Sequence, residues 1–219
     1  MKNEKNILKI LWILSFIPLL ITIVFYNRLP EKVPMHWNIR GQIDAYYPKF
    51  PGAFIIPVMG LFITFLLQFL PKLDPRKENY SKFKKQYSVF MFVMIAFFIV
   101  IQLIIIGVSM GADFIRVDAI IKLFLGIMIL IFGNFMPKLK HNYLMGIRTP
   151  WTLSSEPVWY KAHRHGGVVW FVTGIILIIL AFIPGGISAA AYFSLIVIAS
   201  IEPLIYSYLC YRKEIQERH

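Results

Sequence analysis

Six long apolar runs, separated by short charged segments, restrict what this chain can fold into more than any other feature. The runs cover residues 7–26, 52–70, 87–110, 117–136, 167–184 and 189–210. An α-helix that crosses a bilayer needs about 20 predominantly apolar residues, because each residue adds about 1.5 Å along the helix axis. The sequence therefore predicts a single membrane domain over residues 1–219, an all-α polytopic protein with six transmembrane helices.

The charged residues support a membrane location and argue against nucleic acid as a partner. Charged residues make up 16% of the chain and hydrophobic residues 58%, a balance far more apolar than that of a soluble domain. The net charge of +12 comes from Lys and Arg at the ends of the apolar runs, where such residues contact lipid headgroups. We therefore expect a multi-pass protein of the cell (plasma) membrane that contacts membrane lipid and binds no nucleic acid directly.

Two further features narrow the class of protein. The chain has one cysteine, Cys210, which excludes an intramolecular disulfide and a cysteine-rich metal site. The first apolar run is longer than the core of a signal peptide and has no small-residue cleavage site before Asn27, so we expect it to remain as the first spanning helix. Neither a metal nor a cofactor is expected.

The distribution of Lys and Arg predicts which side of the membrane each loop faces. Of the 23 such residues, 17 lie in the amino-terminal tail, the 71–86 loop, the 137–166 loop and the carboxy-terminal tail. The other six lie in or beside the remaining loops. Because positively charged loops stay in the cytoplasm, we predict that both termini and the 137–166 loop are cytoplasmic and that the 27–51 loop is extracytoplasmic.

The 27–51 loop is longer than a helix connection requires, and surplus loop length often carries function. Residues that precede a proline favour extended backbone, and residues 38–41 supply a turn, so the loop predicts a short β-hairpin. His36 could be a metal ligand or an acid/base group, but a structural hydrogen-bonding role is favoured, since Asp44 is its one nearby carboxylate and no second His or Cys lies at ligand spacing. The residues predicted to contact an extracytoplasmic ligand are His36, Trp37, Asn38, Gly41, Asp44 and Lys49.

The 137–166 loop contains the start of a helix. Ser154 or Ser155 can cap this helix, and Pro157 fits its first turn, where a missing N–H does no harm. We expect a short helix at the membrane interface, with Trp159 inserted into the interface, that ends at the glycine pair 166–167.

Three histidines in or near this helix raise the question of a metal. A zinc site from His141, His163 and His165 is one interpretation. Solvated histidines at the interface are favoured instead, because the spacing of a two-histidine metal helix is absent.

Glu202 is the outstanding polar residue within an apolar run. An ionisable group in the membrane is costly and normally faces other helices. Glu202 lies eight residues before Cys210, roughly 12 Å along a helix, and Gln68 and Asn134 are the polar residues expected near it. Two interpretations stay open: Glu202 joins helices or bonds backbone freed by Pro203, or it is a titratable site.

Two stretches of the chain resemble a known family. Residues in the 137–166 loop resemble the signature of the SdpI family of bacterial membrane immunity proteins: Gly146, Arg148, Thr149, Pro150, Trp151, Thr152, Trp159 and His163. Residues 34–49 resemble the extracytoplasmic segment found in larger members of that family. Ala45 stands where glycine is expected, and Pro157 stands where an acidic residue is expected.

The resemblance implies an immunity protein that protects the producing cell from a secreted peptide toxin at its membrane. It also implies a cytoplasmic transcription repressor as a further partner. From the residues alone, a small transporter or proton-linked protein using Glu202 and a purely structural membrane subunit remain alternatives. An enzyme is not expected, since we recognise no nucleophile–base set, no paired metal-binding carboxylates, no Gly-x-Ser-x-Gly elbow and no His-Glu-x-x-His helix.

Overall fold

The computed structural model describes residues 2–38, 41–183 and 186–218. Within these residues, six helical segments are long and apolar enough to cross a membrane: Asn6–Arg28, Lys49–Leu73, Lys84–Ser109, Val117–Lys138, Glu156–Ala181 and Ala189–Glu217. The prediction of an all-α protein with six spanning helices is confirmed, and the chain is a multi-pass membrane protein. The cytoplasmic location of both termini stays a prediction.

The helices and strands follow one another in a simple order along the chain. They are α1 (Lys2–Ser15), α2 (Ile17–Phe25), β1 (Lys32–Trp37), β2 (Ile43–Pro48), α3 (Lys49–Leu73), α4 (Lys84–Ser109), α5 (Val117–Phe135), α6 (Pro150–Ser154), α7 (Glu156–Ala181) and α8 (Gly186–Arg218). Short 3-10 helices follow α2, α3 and α5. The chain divides into two compact units, one from the start to Phe69 with Ser88–Ile120, the other Leu70–Tyr87 with Ile121 onward.

The first spanning segment of the first unit is interrupted close to Pro18. Helix α1 ends at Ser15 and α2 begins at Ile17, with Phe16 between them. A proline inside a helix has no N–H to donate to the carbonyl four residues earlier, and its ring collides with that carbonyl. The single apolar run is therefore built as two helices.

Buried hydrogen bonds join three helices of the first unit. Gln102 Nε2 on α4 donates to Thr22 Oγ1 on α2 at 2.7 Å and to Ala53 O on α3 at 3.2 Å. Gln102 and Thr22 are both fully buried. Because lipid offers no hydrogen bonds, polar side chains in a spanning helix bond to other helices. Trp12 Nε1 likewise donates to Gln68 Oε1 at 2.9 Å, between α1 and α3.

The predicted hairpin in the 27–51 loop is confirmed. Strands β1 and β2 pair antiparallel, with Val33 opposite Tyr47. Asn38 N donates to Gln42 O at 2.8 Å, and Gly41 has a φ of +76°, which glycine adopts without strain. Two residues of the predicted turn, 39 and 40, lie outside the described residues.

Glycines bring α5 and α7 of the second unit into close contact. A Cβ added at Gly133 would lie 2.4 Å from Phe171 N, and one added at Gly174 would lie 2.5 Å from Leu130 N. Such distances leave no room for a side chain. Small residues of this kind let helix backbones approach each other in a membrane.

The prediction that the inner helix ends at the glycine pair is wrong. Helix α7 begins at Glu156, runs through both glycines and ends at Ala181, so the interfacial helix and the fifth spanning helix are one element. The glycines serve packing instead of termination. A Cβ at Gly166 would lie 2.6 Å from Ile147 Cδ1, and one at Gly167 would lie 2.8 Å from Pro137. The predicted turn before α8 includes residues 184 and 185, which lie outside the described residues.

Candidate functional site

The 137–166 loop carries the signature residues and is called the signature loop below. In the second unit, one histidine of α7 holds this loop in place. His163 is fully buried, and its Nε2 accepts the backbone N–H of Ile147 at 3.0 Å. Its Nδ1–H donates to Trp159 O, one helical turn earlier, at 2.8 Å. Gly146 passes over the ring with a φ of +97°, and a Cβ there would lie 2.2 Å from Nε2. Gly146 and His163, two residues of the signature, therefore pack as one unit.

The burial of His163 corrects the expectation of solvated histidines. Both ring nitrogens of His163 bond to backbone groups, so neither has a lone pair free to bind zinc. His141 is also buried, with 5% of its surface exposed. His165 is half-buried and bonds to Glu202 instead of the other two histidines. Within the described residues, no group of three His, Cys, Asp or Glu side chains is placed to hold a metal ion.

Trp159 lies at the centre of this packing. The indole is fully buried, and its Nε1 donates to Leu139 O at 3.0 Å. Its ring stacks on His163 with 3.9 Å between centroids and contacts the His141 ring at 4.9 Å. It packs with Tyr80 and other apolar residues of the unit. The expectation that Trp159 inserts into the membrane interface is therefore wrong, because the protein's own loop covers it.

The Thr149–Thr152 segment forms the short helix α6. Thr149 is its N-cap, with its side chain accepting from Thr152 N at 3.2 Å, while Thr152 Oγ1 accepts from Thr149 N at 2.9 Å. Pro150 takes the first helical position, where it loses no hydrogen bond. The hydroxyls of Thr149 and Ser207 lie 3.0 Å apart, which joins the loop to α8. Trp151 adds a ring contact to Tyr208 of α8, with 4.9 Å between centroids.

The start of α7 is capped as the sequence predicts. Ser155 is the N-cap, and its Oγ accepts from Val158 N at 3.3 Å. The same hydroxyl donates to Glu214 Oε2 at 2.5 Å. This bond fixes the carboxy-terminal part of α8 against the start of α7.

Arg148 is an exposed, positively charged member of the signature. Its Nη1 donates to Tyr143 O at 3.1 Å, so the guanidinium closes the loop over residues 143–148. Thr149, Thr152, Trp159 and His163 of the signature are buried, whereas Arg148 is exposed and carries the only formal charge among the signature residues that lack an imidazole. Arg148 is thus available to a partner of this face.

Three buried polar residues of this unit were not predicted from the sequence. Asp74 accepts from Tyr80 Oη at 2.9 Å and from Tyr143 N at 2.9 Å, and Tyr80 Oη also lies 3.3 Å from Asn142 Oδ1. Burial of Tyr80 and its hydrogen bond to Asp74 raise the pKa of the phenol. The 71–86 segment, counted above among the positively charged loops, thus folds against the signature loop.

The sequence does contain a signal for two of these residues, Asp74 and Asn142. Asp74 is followed by proline directly after a spanning helix, and its Oδ1 accepts from Arg76 N at 2.7 Å. Asn142 Oδ1 accepts from Leu144 N and Met145 N. Asp and Asn often bond their own downstream backbone in this way, so both residues mark structured turns.

Glu202 is paired with His165. His165 Nε2 donates to Glu202 Oε1 at 2.6 Å, and the imidazole stacks on Tyr206 with 3.9 Å between centroids. Of the residues expected beside Glu202, Gln68 bonds to Trp12 as described above, and Asn134 is exposed. The structure therefore gives Glu202 a histidine partner that the sequence did not predict.

A tryptophan takes the backbone group that Pro203 leaves unbonded. Pro203 has no N–H, so the carbonyl of Ala199, four residues earlier, lacks its helical donor. Trp170 Nε1 of α7 donates to that oxygen at 2.9 Å. The compensation for the proline thus comes from a neighbouring helix and not from Glu202.

The predicted ligand residues of the first unit are brought together on the hairpin. His36 Nδ1 donates to Asp44 Oδ1 at 2.5 Å, as the sequence suggests. Asn38 Oδ1 accepts from Gln42 N at 3.1 Å and holds the turn. Lys49 Nζ lies 4.7 Å from the centre of the Tyr26 ring, a cation–π contact at the base of the hairpin.

The expectation that no Gly-x-Ser-x-Gly pattern occurs needs a correction, because residues 107–111 have this spacing of a hydrolase nucleophile elbow. That elbow places its serine on a turn from strand to helix. Ser109 instead ends α4, and its Oγ donates to Ile105 O at 2.6 Å. The surroundings of this serine therefore differ from those of a nucleophile elbow.

Comparison with known proteins matches both regions described above. Residues 138–207 match the SdpI/YfhL protein family, and residues 13–61 match a domain of unknown function (DUF1648). The chain is 32% identical over 213 residues to Immunity protein SdpI of Bacillus subtilis (strain 168), which covers 96% of this chain and 97% of that protein. No solved structure matches. Since the similarity extends over nearly all of both chains, this protein belongs to the SdpI family.

Proposed function

We propose that this protein is an immunity protein that protects the cell carrying it from a secreted antimicrobial peptide toxin at the membrane. The observation that carries the proposal is the match to Immunity protein SdpI along 96% of this chain. A match of that extent includes the hairpin and the signature loop as well as the apolar helices. The similarity is therefore not one of membrane-spanning composition alone.

The hairpin of β1 and β2 is the element that we propose to contact the toxin. Tyr46 and Tyr47 are 54% and 47% exposed, and the pair of His36 and Asp44 lies beside them on the same hairpin. Rigid aromatic side chains with a few charged groups are typical of binding surfaces. Val33 is fully buried in a hydrophobic cluster of the first unit, so these exposed groups are presented on anchored backbone.

The depth of the hairpin suits an amphipathic ligand. Strand β2 runs directly into α3, whose spanning segment begins at Lys49. The hairpin is thus held at the membrane surface. An amphipathic peptide concentrates in this interface before it reaches the apolar interior, so a receptor there meets the peptide where its concentration is highest.

Expression in a toxin-sensitive cell tests the function and the contact surface together. We expect the unaltered chain to restore survival and Trp37→Ala to abolish it, with normal membrane levels and thermal stability. Phe114→Ala is the matched control, because Phe114 is an exposed aromatic residue of the same unit outside the hairpin. Full protection by a variant whose 32–49 segment is replaced by a Gly/Ser linker would refute the hairpin as the contact.

A cytoplasmic transcription repressor is the second partner that we propose, with the exposed part of the signature loop as its contact. Arg148 supports this choice, because it is an exposed cation of the signature whose guanidinium is held in place by its bond to Tyr143 O. Arg148→Lys keeps the charge and loses the planar fork of donors. We expect this variant to weaken signalling at equal protein levels, and unchanged repressor-controlled transcription would refute the contact.

The pair of Glu202 and His165 favours a second candidate function, a proton-linked membrane protein. Two titratable groups 2.6 Å apart within spanning helices can exchange a proton. Glu202→Gln retains an acceptor for His165 and removes the titratable acid. Loss of function by this variant, in a protein as stable as the unaltered chain, would favour the proton-linked reading over a purely structural pair.

A further inference from the structure

Arg76 and His141 both lie at the depth of the lipid headgroups. One spanning segment ends at Leu73, and Arg76 lies three residues after it. Another spanning segment ends at Lys138, and His141 lies three residues after it. The polar zone of a bilayer adds roughly 5 to 8 Å on each side of its hydrocarbon core. A residue three positions beyond the end of a spanning helix therefore lies within this zone.

Hydrogen bonds bring the two segments together within the second unit. Asn79 Nδ2, one turn after Arg76, donates to His141 O at 2.8 Å. Tyr143 N donates to Asp74 Oδ2 at 2.9 Å. The guanidinium of Arg76 lies over the Tyr143 ring, 5.1 Å from its centre. Arg76 and His141 are thus neighbours in a fixed arrangement.

Each of the two side chains carries a buried nitrogen without a hydrogen-bond partner. The atoms are Arg76 Nη1 and His141 Nε2, and both are shielded from solvent. The His141 side chain is 5% exposed, so water cannot reach the ring freely. Leaving such a group unbonded costs free energy, and more when the group is charged. A ligand that bonds both nitrogens would remove this cost.

The nearby acid is already bonded to other groups. Asp74 is 3% exposed, and its carboxylate already accepts from Arg76 N, Tyr80 Oη and Tyr143 N. Among the described residues, Arg76 forms no ion pair with any carboxylate. The guanidinium is therefore a partly buried cation that lacks an anion.

The electrostatics of His141 agree with an unfilled anion site. The charged and titratable groups that act on its ring are Arg76, Glu156 and His163. Burial first, and then the positive charge of Arg76, hold the pKa of His141 below its usual value, while Glu156 and hydrogen bonds to the backbone of Leu153 and Thr152 act in the opposite direction. An anion between His141 and Arg76 would attract both groups in place of their mutual repulsion. It would also offset the desolvation cost of a charged His141 ring.

We propose that Arg76 Nη1 and His141 Nε2 together bind one phosphate oxyanion, supplied by the headgroup of a membrane phospholipid. Arginine binds phosphate with a planar set of donors, and the imidazolium supplies a second charged donor. The headgroup is the source because its phosphates occupy the same depth as the site. Exposed Lys72 and Lys77 flank Arg76 in the sequence and add positive charge near it. Lipid bound here would join the segment after α3 to the signature loop.

Lipid binding to the full chain in phosphate-free detergent tests the proposal. Phosphatidylglycerol, diacylglycerol and inorganic phosphate are added separately, and binding is measured by native mass spectrometry. We expect phosphatidylglycerol to bind and diacylglycerol, which lacks the phosphate, to bind at least about tenfold more weakly. Inorganic phosphate that binds as tightly as the lipid would overturn the headgroup as the source.

Two variants assign the binding to the site. Arg76→Gln should weaken phosphatidylglycerol binding by about tenfold or more, whereas Lys77→Gln removes an exposed neighbouring charge and should change it little. Both variants must show the melting temperature of the unaltered chain in lipid-free detergent. Equal weakening by both would overturn the site in favour of diffuse attraction between a basic surface and anionic lipid.

Histidine NMR of the unaltered chain needs no variant and separates lipid from a trapped water. A bound phosphate stabilises the imidazolium, so the pKa of His141 should rise when phosphatidylglycerol is added. Diacylglycerol should leave it unchanged. A His141 pKa that does not respond to phosphatidylglycerol would mean that water fills the gap, and it would refute the proposal.

Discussion

Gly146 lies so close to His163 that a Cβ at position 146 would be 2.2 Å from Nε2 of the imidazole. The two residues are 17 positions apart, and His163 Nε2 holds the next backbone N–H, that of Ile147. In this chain, the signature residues in large part form contacts that hold the loop before α7 closed. A histidine in such a pattern is easily taken for a functional group, and here it is a buried hydrogen-bond acceptor.

Gly146→Ala should destabilise the second unit. The substitution places a side chain in left-handed backbone at φ +97° and against a buried ring, at a combined cost of about 2 to 4 kcal/mol. The measurement is thermal unfolding in detergent. Gly111→Ala is the control, because φ is +84° there but no atom lies within 4 Å of the added Cβ. Equal losses in the two variants would show that contact with His163 is unimportant.

His163→Phe should lower stability although it keeps an aromatic ring against Trp159. The change leaves the Ile147 N–H and the Trp159 carbonyl without the bonds that the imidazole makes. Each buried group left unbonded costs about 1 to 3 kcal/mol. Tyr160→Phe on the same helix removes an exposed bond to Glu156 and should change unfolding by less than about 0.5 kcal/mol. An unchanged melting temperature for His163→Phe would contradict the assigned role.

Trp170→Phe should destabilise the contact between α7 and α8. It removes the donor to Ala199 O, the carbonyl that Pro203 leaves without a helical partner. The expected loss is about 0.6 to 2 kcal/mol, the range of interhelical hydrogen bonds in membranes. In a Pro203→Ala background the helix supplies its own N–H, so the same substitution should cost less. Equal costs in both backgrounds would exclude this explanation.

Glu202→Gln and Glu202→Leu distinguish a structural from a titrating role for the pair with His165. Glutamine keeps an acceptor at 2.6 Å from His165 Nε2, whereas leucine leaves that nitrogen without its bond. If the pair is structural, glutamine preserves protection and leucine lowers the melting temperature. Loss of protection by the glutamine variant at full stability would contradict a purely structural role.

Thiol labelling tests the predicted orientation. In a Cys210→Ser background, cysteines at the exposed positions Glu31 and Ser154 report on the hairpin and on the signature loop. A membrane-impermeant reagent applied to intact cells should label position 31 and not 154, because 17 of the 23 Lys and Arg lie on the predicted inner side. Labelling at 154 from outside would reverse the orientation and remove the hairpin from contact with a secreted peptide.

The membrane architecture was predictable from the sequence because it depends on local composition. Each spanning helix needs its own run of apolar residues, and lipid satisfies the outward faces without any tertiary partner. The hairpin was predictable for a similar reason, since prolines and Gly41 restrict the backbone near them in the sequence. The N-cap Ser155 likewise acts on residues within one helical turn.

The tertiary structure decided the features that depend on contacts between distant residues. The residues next to the glycine pair 166–167 do not indicate that Pro137 and Ile147 pack against it. The sequence therefore predicted the end of a helix at a point where α7 continues. In the same way, the partner of Glu202 is His165, 37 positions away. The sequence by itself determined where helices cross the membrane and what family the loop resembles. Which polar groups meet, and whether a histidine is solvated or buried, was decided by packing between segments, because a hydrogen bond depends on distance in space and not on separation along the chain.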